Sequence, residues 1–134
     1  MAVVLDSDAV VGFIDRSDAL HRAADQAIRD LIGSHQLLVS TVTYAEVLTG
    51  AHLGRHDEEQ VRGFFFELTA EILSVDVEIA ERAADLRARH KSLRMPDALI
   101  LATADVAPEV ELVLTGDRQM ERVSDLACQV QVLS

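Results

Sequence analysis

Short apolar runs alternate with longer amphipathic stretches along the chain. The runs have the length and composition of buried strands, and they cover residues 2–5, 36–40, 71–75, 111–115 and 128–133. Apolar positions spaced at the helical period lie between them and predict helices over 8–15, 18–33, 43–54, 57–70, 76–92 and 96–106, with a short helix or turn at 117–124. Strands that alternate with helices predict an α/β fold, a three-layer α/β/α sandwich around a mostly parallel sheet.

The segment 76–92 has the clearest amphipathic pattern. We expect Val77, Ala80 and Ala84 to face the sheet. The i,i+4 pairs Glu78/Arg82 and Asp85/Arg89 would then face solvent.

Length and composition fit an ordinary folded domain. The chain has 134 residues, of which 49% are hydrophobic and 26% charged, so we expect one domain over 1–134. It contains neither an apolar run of about 18 residues nor a signal-peptide pattern, which predicts a cytoplasmic protein without a membrane partner. The single cysteine, Cys128, excludes an internal disulfide and a cysteine-based zinc site.

The net charge of −11 disagrees with a simple nucleic-acid-binding surface. Phosphate contacts usually require a basic face. Taken alone, the acidic balance favours a basic protein partner, cations or solubility.

Four acids follow the predicted strands or open the helices next to them. Asp6 ends the first strand, Glu46 lies six residues past the second, Asp97 opens the helix 96–106, and Asp117 lies two residues past the fourth strand. Because parallel strands gather their carboxyl ends at one edge of the sheet, we expect all four side chains to share a crevice.

Each acid also has a purely structural interpretation. Asp6 and Asp8 are suitable N-caps for the first helix, and Asp117 is a suitable start for a short one. The spacing of Thr43 and Glu46 fits a capping box, and Asp97 would favour a helix dipole.

Asp97 carries the strongest single signal. The sequence PDALILATA is apolar on nearly every face, so its helix should be buried, and a buried carboxylate requires a partner or a metal. Crowded carboxylates stay ionised only if a cation compensates them, and oxygen ligands without His or Cys favour Mg²⁺ or Mn²⁺. Such a site supports metal-assisted hydrolysis of a phosphodiester.

The segments VVLDSDAVV, TYAEVL, MPDALILATA and LTGDRQM resemble, in order and spacing, the PIN-domain family and within it the VapC-type toxins of bacterial toxin–antitoxin pairs. The resemblance implies a Rossmann-like fold and an Mg²⁺- or Mn²⁺-dependent endoribonuclease. It matches the family's four acidic positions to Asp6, Glu46, Asp97 and Asp117, with Asp6 and Asp97 as the direct metal ligands. It places the hydroxyl of Thr115 and the carboxylate of Asp8 around them.

The resemblance also implies partners, namely a cognate antitoxin that covers the acidic crevice, an RNA substrate and a second copy in a homodimer. Arg87, Arg89 and Arg94 precede Asp97 and are candidate phosphate contacts, although a solvated helix face is the alternative.

Three consecutive phenylalanines, Phe64, Phe65 and Phe66, span too much of a helix to share one buried face. We predict that at least one of them packs under a neighbouring helix or forms a groove for an antitoxin helix.

Three other interpretations remain at this stage. A haloacid-dehalogenase-like phosphatase would share the DSD segment but requires a downstream lysine and an adjacent acidic pair. A receiver-like Mg²⁺-binding signalling module requires a late lysine, and Lys91 is the only lysine in the chain. A PIN fold that only binds a partner is disfavoured by the four intact acids.

Overall fold

The computed structural model describes residues 1–134 and contains one five-stranded, fully parallel sheet. The strands are β1 (Ala2–Leu5), β2 (Gln36–Ser40), β3 (Glu71–Leu73), β4 (Val110–Thr115) and β5 (Gln129–Val132). Their order is β3-β2-β1-β4-β5, so the direction of winding reverses between β1 and β4. Ligands of such sheets bind beyond the carboxyl ends of the strands at this reversal.

Six helices connect the strands. They are α1 (Ser7–Ile14), α2 (His21–Ile32), α3 (Thr41–His52), α4 (Glu58–Gly63), α5 (Val77–Arg89) and α6 (Met95–Val106). Carboxylate caps begin several of them, including Asp57 at α4 and Asp76 at α5. None of the helices is both long enough and apolar enough to cross a membrane.

Helices cover both faces of the sheet, which explains why its central strands are apolar without alternation. Val3 and Leu5 point to the face covered by α1, α2 and α4, whereas Ala2 and Val4 point to α5 and α6. All four side chains are fully buried. The predicted α/β/α sandwich is therefore confirmed, and its sheet is entirely parallel.

The predicted helix 57–70 is interrupted. Helix α4 ends at Gly63 and continues as a π-helical turn over Phe64–Leu68, in which Thr69 N–H donates to the carbonyl of Phe64 at 3.2 Å. This wider turn changes the direction of the successive phenylalanines.

Helix α5 turns a different face to the sheet from the one predicted. The prediction that Val77, Ala80 and Ala84 face inward is wrong, because all three are exposed. The buried residues are Ile79, Ala83 and Leu86. Burying the larger Ile and Leu side chains removes more apolar surface from water than burying two alanines.

Arg82 explains the rotation of α5 further. Its half-buried guanidinium donates to Asp105 at 2.6 Å, to Asp85 at 2.6 Å and to the carbonyl of Asp125 at 2.5 Å. It therefore ties α5 to α6 and to the segment before β5, instead of pairing with Glu78 at the surface.

Candidate active site

Asp6 lies at the reversal point of the sheet, between the ends of β1 and β4. Its carboxylate caps α1 by accepting from the N–H of Ser7 at 2.7 Å, and it accepts from the Thr115 hydroxyl at 2.6 Å. The Thr115 oxygen accepts in turn from the N–H of Asp117 at 3.0 Å. The capping interpretation of Asp6 is confirmed, and the same side chain also anchors the turn that carries Asp117.

Burial dominates the electrostatics of Asp6. The residue is only 3% exposed, and its burial raises the pKa of the carboxyl to about 7, helped by the nearby charges of Asp8 and Asp97. The hydrogen bonds from Thr115 and Ser7 lower the pKa of Asp6 but do not cancel this effect. A buried carboxylate with a raised pKa binds a proton or a cation readily.

Asp97 faces the same space from the first turn of α6. It is 7% exposed, and burial raises its pKa, with further increases from the charges of Asp117 and Glu46. Arg94 opposes these effects, because its Nε lies 3.5 Å from Asp97 Oδ2. The sequence-based expectation of a buried acid at the start of α6 is confirmed.

Glu46 reaches the crevice from α3, where its Oε1 accepts from the Ser7 hydroxyl at 2.5 Å. The capping-box interpretation is wrong, because Ser40 caps α3 and Thr43 lies buried inside the helix. Ser7 is a site residue that sequence reasoning missed. It lies 39 positions from Glu46, and no local pattern marks their contact.

Asp8 and Asp117 complete the crevice. The pKa of Asp8 is raised by partial burial and then by the charges of Asp117 and Glu46. Gly116 makes room for this arrangement, since a Cβ there would lie 3.1 Å from Asp8 Cβ and 2.5 Å from a Leu20 methyl group. We call the five acids together the acidic crevice: Asp6, Asp8, Glu46, Asp97 and Asp117.

The donor set of the acidic crevice suits a hard divalent cation. All five candidate ligands are carboxylates and so offer oxygen atoms. No three Asp, Glu, His or Cys side chains are placed so that together they could hold one metal ion. Mg²⁺ typically uses one or two carboxylates and retains several waters, so two ligands are sufficient. The choice of Asp6 and Asp97 as direct ligands stays a prediction.

Of the predicted phosphate contacts, only Arg94 reaches the acidic crevice. Arg89 pairs with Asp85 at 3.0 Å, and Arg87 donates to the carbonyl of Lys91 at 3.3 Å. The role of Arg87 and Arg89 in RNA binding stays a prediction.

The phenylalanine run divides between core and surface. Phe65 is 1% exposed and belongs to the core, so it offers no surface to a partner, and a role for the run in an interface stays a prediction. Phe66 is 63% exposed and packs edge-on against Tyr44 at a ring separation of 5.8 Å. Phe64 is buried but contributes to the wall of a cleft.

That cleft, which we call the helical cleft, has a volume of about 820 Å³ and lies between the α1–α2 pair and α4. Phe13, Ile14 and Phe64 form its apolar wall. Its charged lining contains more acids than arginines, namely Asp25, Asp57, Glu59 and Glu67 against Arg16 and Arg29. None of the acids of the crevice lines it, so the two sites are separate surfaces.

Most of the chain matches a known protein family. A family model described as the PIN domain matches residues 3–126. No curated protein sequence is similar enough to count as a relative.

Several solved structures share the fold. VapBC2 from Rickettsia felis, bound to a DNA fragment from its promoter, aligns with a TM-score of 0.78 at 16% identity over 100% of both chains. A toxin–antitoxin complex from Klebsiella pneumoniae aligns with a TM-score of 0.68 at 28% identity over 87% of both chains. VapC20 from Mycobacterium tuberculosis, a toxin that cleaves the sarcin–ricin loop, aligns with a TM-score of 0.66 at 16% identity over 84% of this chain and 87% of its own.

Proposed function

The chain belongs to the PIN domain family, and from this premise we propose that it is a metal-dependent endoribonuclease, the toxin of a toxin–antitoxin pair. The observation that carries the proposal is the buried Asp6, whose pKa is raised to about 7 amid four further carboxylates. The toxin–antitoxin complexes and the RNA-cleaving toxin among the similar structures support it. We propose that residues 1–134 act as one domain, which pairs with a second copy.

The matched PIN domain also weakens the rival interpretations. Neither a receiver-like signalling module nor a haloacid-dehalogenase-like phosphatase is favoured, since neither accounts for the five acids gathered at this edge.

In the proposed mechanism, Asp6 and Asp97 would hold Mg²⁺ or Mn²⁺ at the reversal point of the sheet. The ion, when bound, supplies charge stabilisation for the phosphoryl oxygens and an activated water. Thr115 fixes the orientation of Asp6 through its hydrogen bond at 2.6 Å. The Ser7 hydroxyl donates a hydrogen bond to Oε1 of Glu46. The other oxygen, Oε2, would then accept a proton from the attacking water. Asp117 orients further waters from the anchored turn.

A cleavage assay tests the enzymatic proposal directly. We expect the purified, antitoxin-free protein to cut RNA from total cellular extracts when Mg²⁺ or Mn²⁺ is present, and to stop when EDTA removes the ion. Return of activity after excess Mn²⁺ is added excludes damage by the chelator. Cleavage that continues unchanged in EDTA would contradict a metal-dependent mechanism.

We propose that a helix of the antitoxin docks in the helical cleft, which agrees with the predicted role of Phe64, whereas coverage of the acidic crevice by another antitoxin segment stays a prediction. Its apolar wall would receive apolar side chains of an antitoxin helix, and its excess of acids would attract basic ones.

Gly63 allows this docking surface to be blocked without damage to the fold. It ends α4, lines the helical cleft and has helical backbone angles, and the nearest atom to an added Cβ is a Glu67 oxygen at 3.9 Å. We expect Gly63→Gln to weaken binding of the cognate antitoxin by about tenfold or more, as measured by calorimetry. The melting temperature should hold or rise, because Gly is a poor helix former by about 1 kcal/mol.

Gly33→Gln is the matched control. Gly33 directly follows α2, has αR backbone angles and open space around its Cβ position, and does not line the helical cleft. Equal binding of the partner by both variants would place the antitoxin elsewhere.

A further inference from the structure

Arg94 occupies a position that helix energetics disfavours. It is the N-cap of α6, where Ser, Thr, Asp or Asn would accept a hydrogen bond, and no side chain caps this helix. A cation at a helix N-terminus also opposes the helix dipole. Within α6, only the i,i+3 contact with Asp97 favours an arginine at this position.

Its contacts suggest a different role. The guanidinium Nε lies 3.5 Å from Asp97 Oδ2, and its charge also acts on Asp8. Asp97 is the only acid of the crevice in an ion pair, and Arg94 is its partner. The charge of Arg94 therefore acts on two of the five carboxylates of the crevice, Asp97 and Asp8.

The exposure of the two partners shows which of them is able to move. The Arg94 side chain is 75% exposed, whereas that of Asp97 is 10% exposed. An exposed arginine in a single contact of this length is weakly held. A divalent cation bound by Asp97 would repel the guanidinium, and the guanidinium would remain at the mouth of the crevice, where a phosphate must enter.

We propose that Arg94 neutralises Asp97 in the metal-free protein and binds an RNA phosphate once a divalent cation takes over that carboxylate. The inference rests on the proposed function and adds that metal binding and RNA binding are coupled. Arg94 makes metal binding weaker and makes RNA binding depend on the metal.

The test uses Arg94→Gln with two separate measurements. The first is Mn²⁺ binding by calorimetry, where loss of the competing charge should tighten binding about 3- to 10-fold. The second is binding of a 2′-O-methyl RNA oligonucleotide in Mn²⁺, with its integrity checked on a gel. We expect affinity to fall about tenfold, and the slope of log affinity against log salt to decrease by about 0.7, as for one single-strand phosphate contact.

Two further variants control the experiment. Arg94→Lys should keep the salt slope, because it keeps the charge. Arg62→Gln removes an arginine from another exposed ion pair, with Glu58 at 3.0 Å, and contacts no acid of the crevice. It should leave both measurements at their wild-type values.

The outcomes separate the inference from the function on which it rests. If the wild type binds both Mn²⁺ and the oligonucleotide and Arg94→Gln binds them equally well, the inference is overturned and the proposed function stands. Weaker Mn²⁺ binding by Arg94→Gln would also overturn it, since Arg94 would then support the metal. A wild type that binds neither probe would overturn both.

Discussion

Asp6→Asn should reduce RNA cleavage by about 10³-fold or more while the protein stays folded. Asparagine has the same shape, is a good N-cap, and retains an oxygen for Ser7 N–H or the Thr115 hydroxyl. What it loses is the negative charge that a metal ligand at this position requires. Removal of a single electrostatic contributor in an active site commonly reduces kcat by about 10² to 10³, and loss of the ion itself should reduce it further.

Asp76→Asn is the matched control for this variant. Asp76 caps α5 by accepting from the N–H of Ile79 at 2.9 Å, and it is not among the charges that shift the pKa of the crevice acids. We expect its cleavage rate to equal that of the wild type. The measurement is single-turnover cleavage of a labelled RNA, with circular dichroism to confirm folding. Substantial activity in folded Asp6→Asn would remove Asp6 from the mechanism.

The metal-free protein should become less stable as the pH rises from about 4 to 7. The pKa of Asp6 is raised from 3.8 to about 7 in the fold, so in this window the native state binds more protons than the unfolded state. The contribution of Asp6 to the free energy of unfolding is fully present at low pH and is lost as the pH rises through 7. Between pH 5 and pH 7.5 the loss should be roughly 2 to 3 kcal/mol, at about 1.4 kcal/mol per pKa unit. Asp8 and Asp97, whose pKa values are also raised, act in the same direction.

Denaturant unfolding in EDTA at several pH values measures this effect. Asp85 and Asp125 have lowered pKa values, so their contribution is lost only below about pH 4 and does not mask the trend. Asp6→Asn should remove most of the decrease. Excess Mn²⁺ should reverse it in the wild type, because the ion binds the deprotonated carboxylate and its affinity rises with pH. An equally steep decrease in Asp6→Asn would assign the effect to other groups.

Sequence reasoning located the central strands β1, β2 and β4 well because they are largely buried on both faces. A run such as 2–5 has no alternative to a central parallel strand, and Asp6 marks its end without ambiguity. The position of Asp97 was equally predictable, since Pro96 and an apolar helix define the start of α6.

Features that depend on distant contacts were not predictable. The orientation of α5 is set by Arg82 and its partners on α6 and before β5, and the local pattern of alanines pointed to the wrong face. The π-helical turn has no signature beyond the aromatic residues it accommodates. The bond between Ser7 and Glu46 exists only because α1 and α3 meet beside β1.

The hydrogen bond between Thr115 and Asp6 joins residues 109 positions apart, and β1 lies between β2 and β4. A ribosome synthesises Asp6 almost at once, but it must translate as far as the end of β4 before that carboxylate acquires its partner. Nascent chains shorter than this can pair β1 with β2 and join Ser7 to Glu46, but they lack the bond that fixes the Asp6 carboxylate and anchors the turn that carries Asp117. The acidic crevice is therefore completed only when β4 and Asp117 have been translated, which places the onset of the proposed nuclease activity late in synthesis.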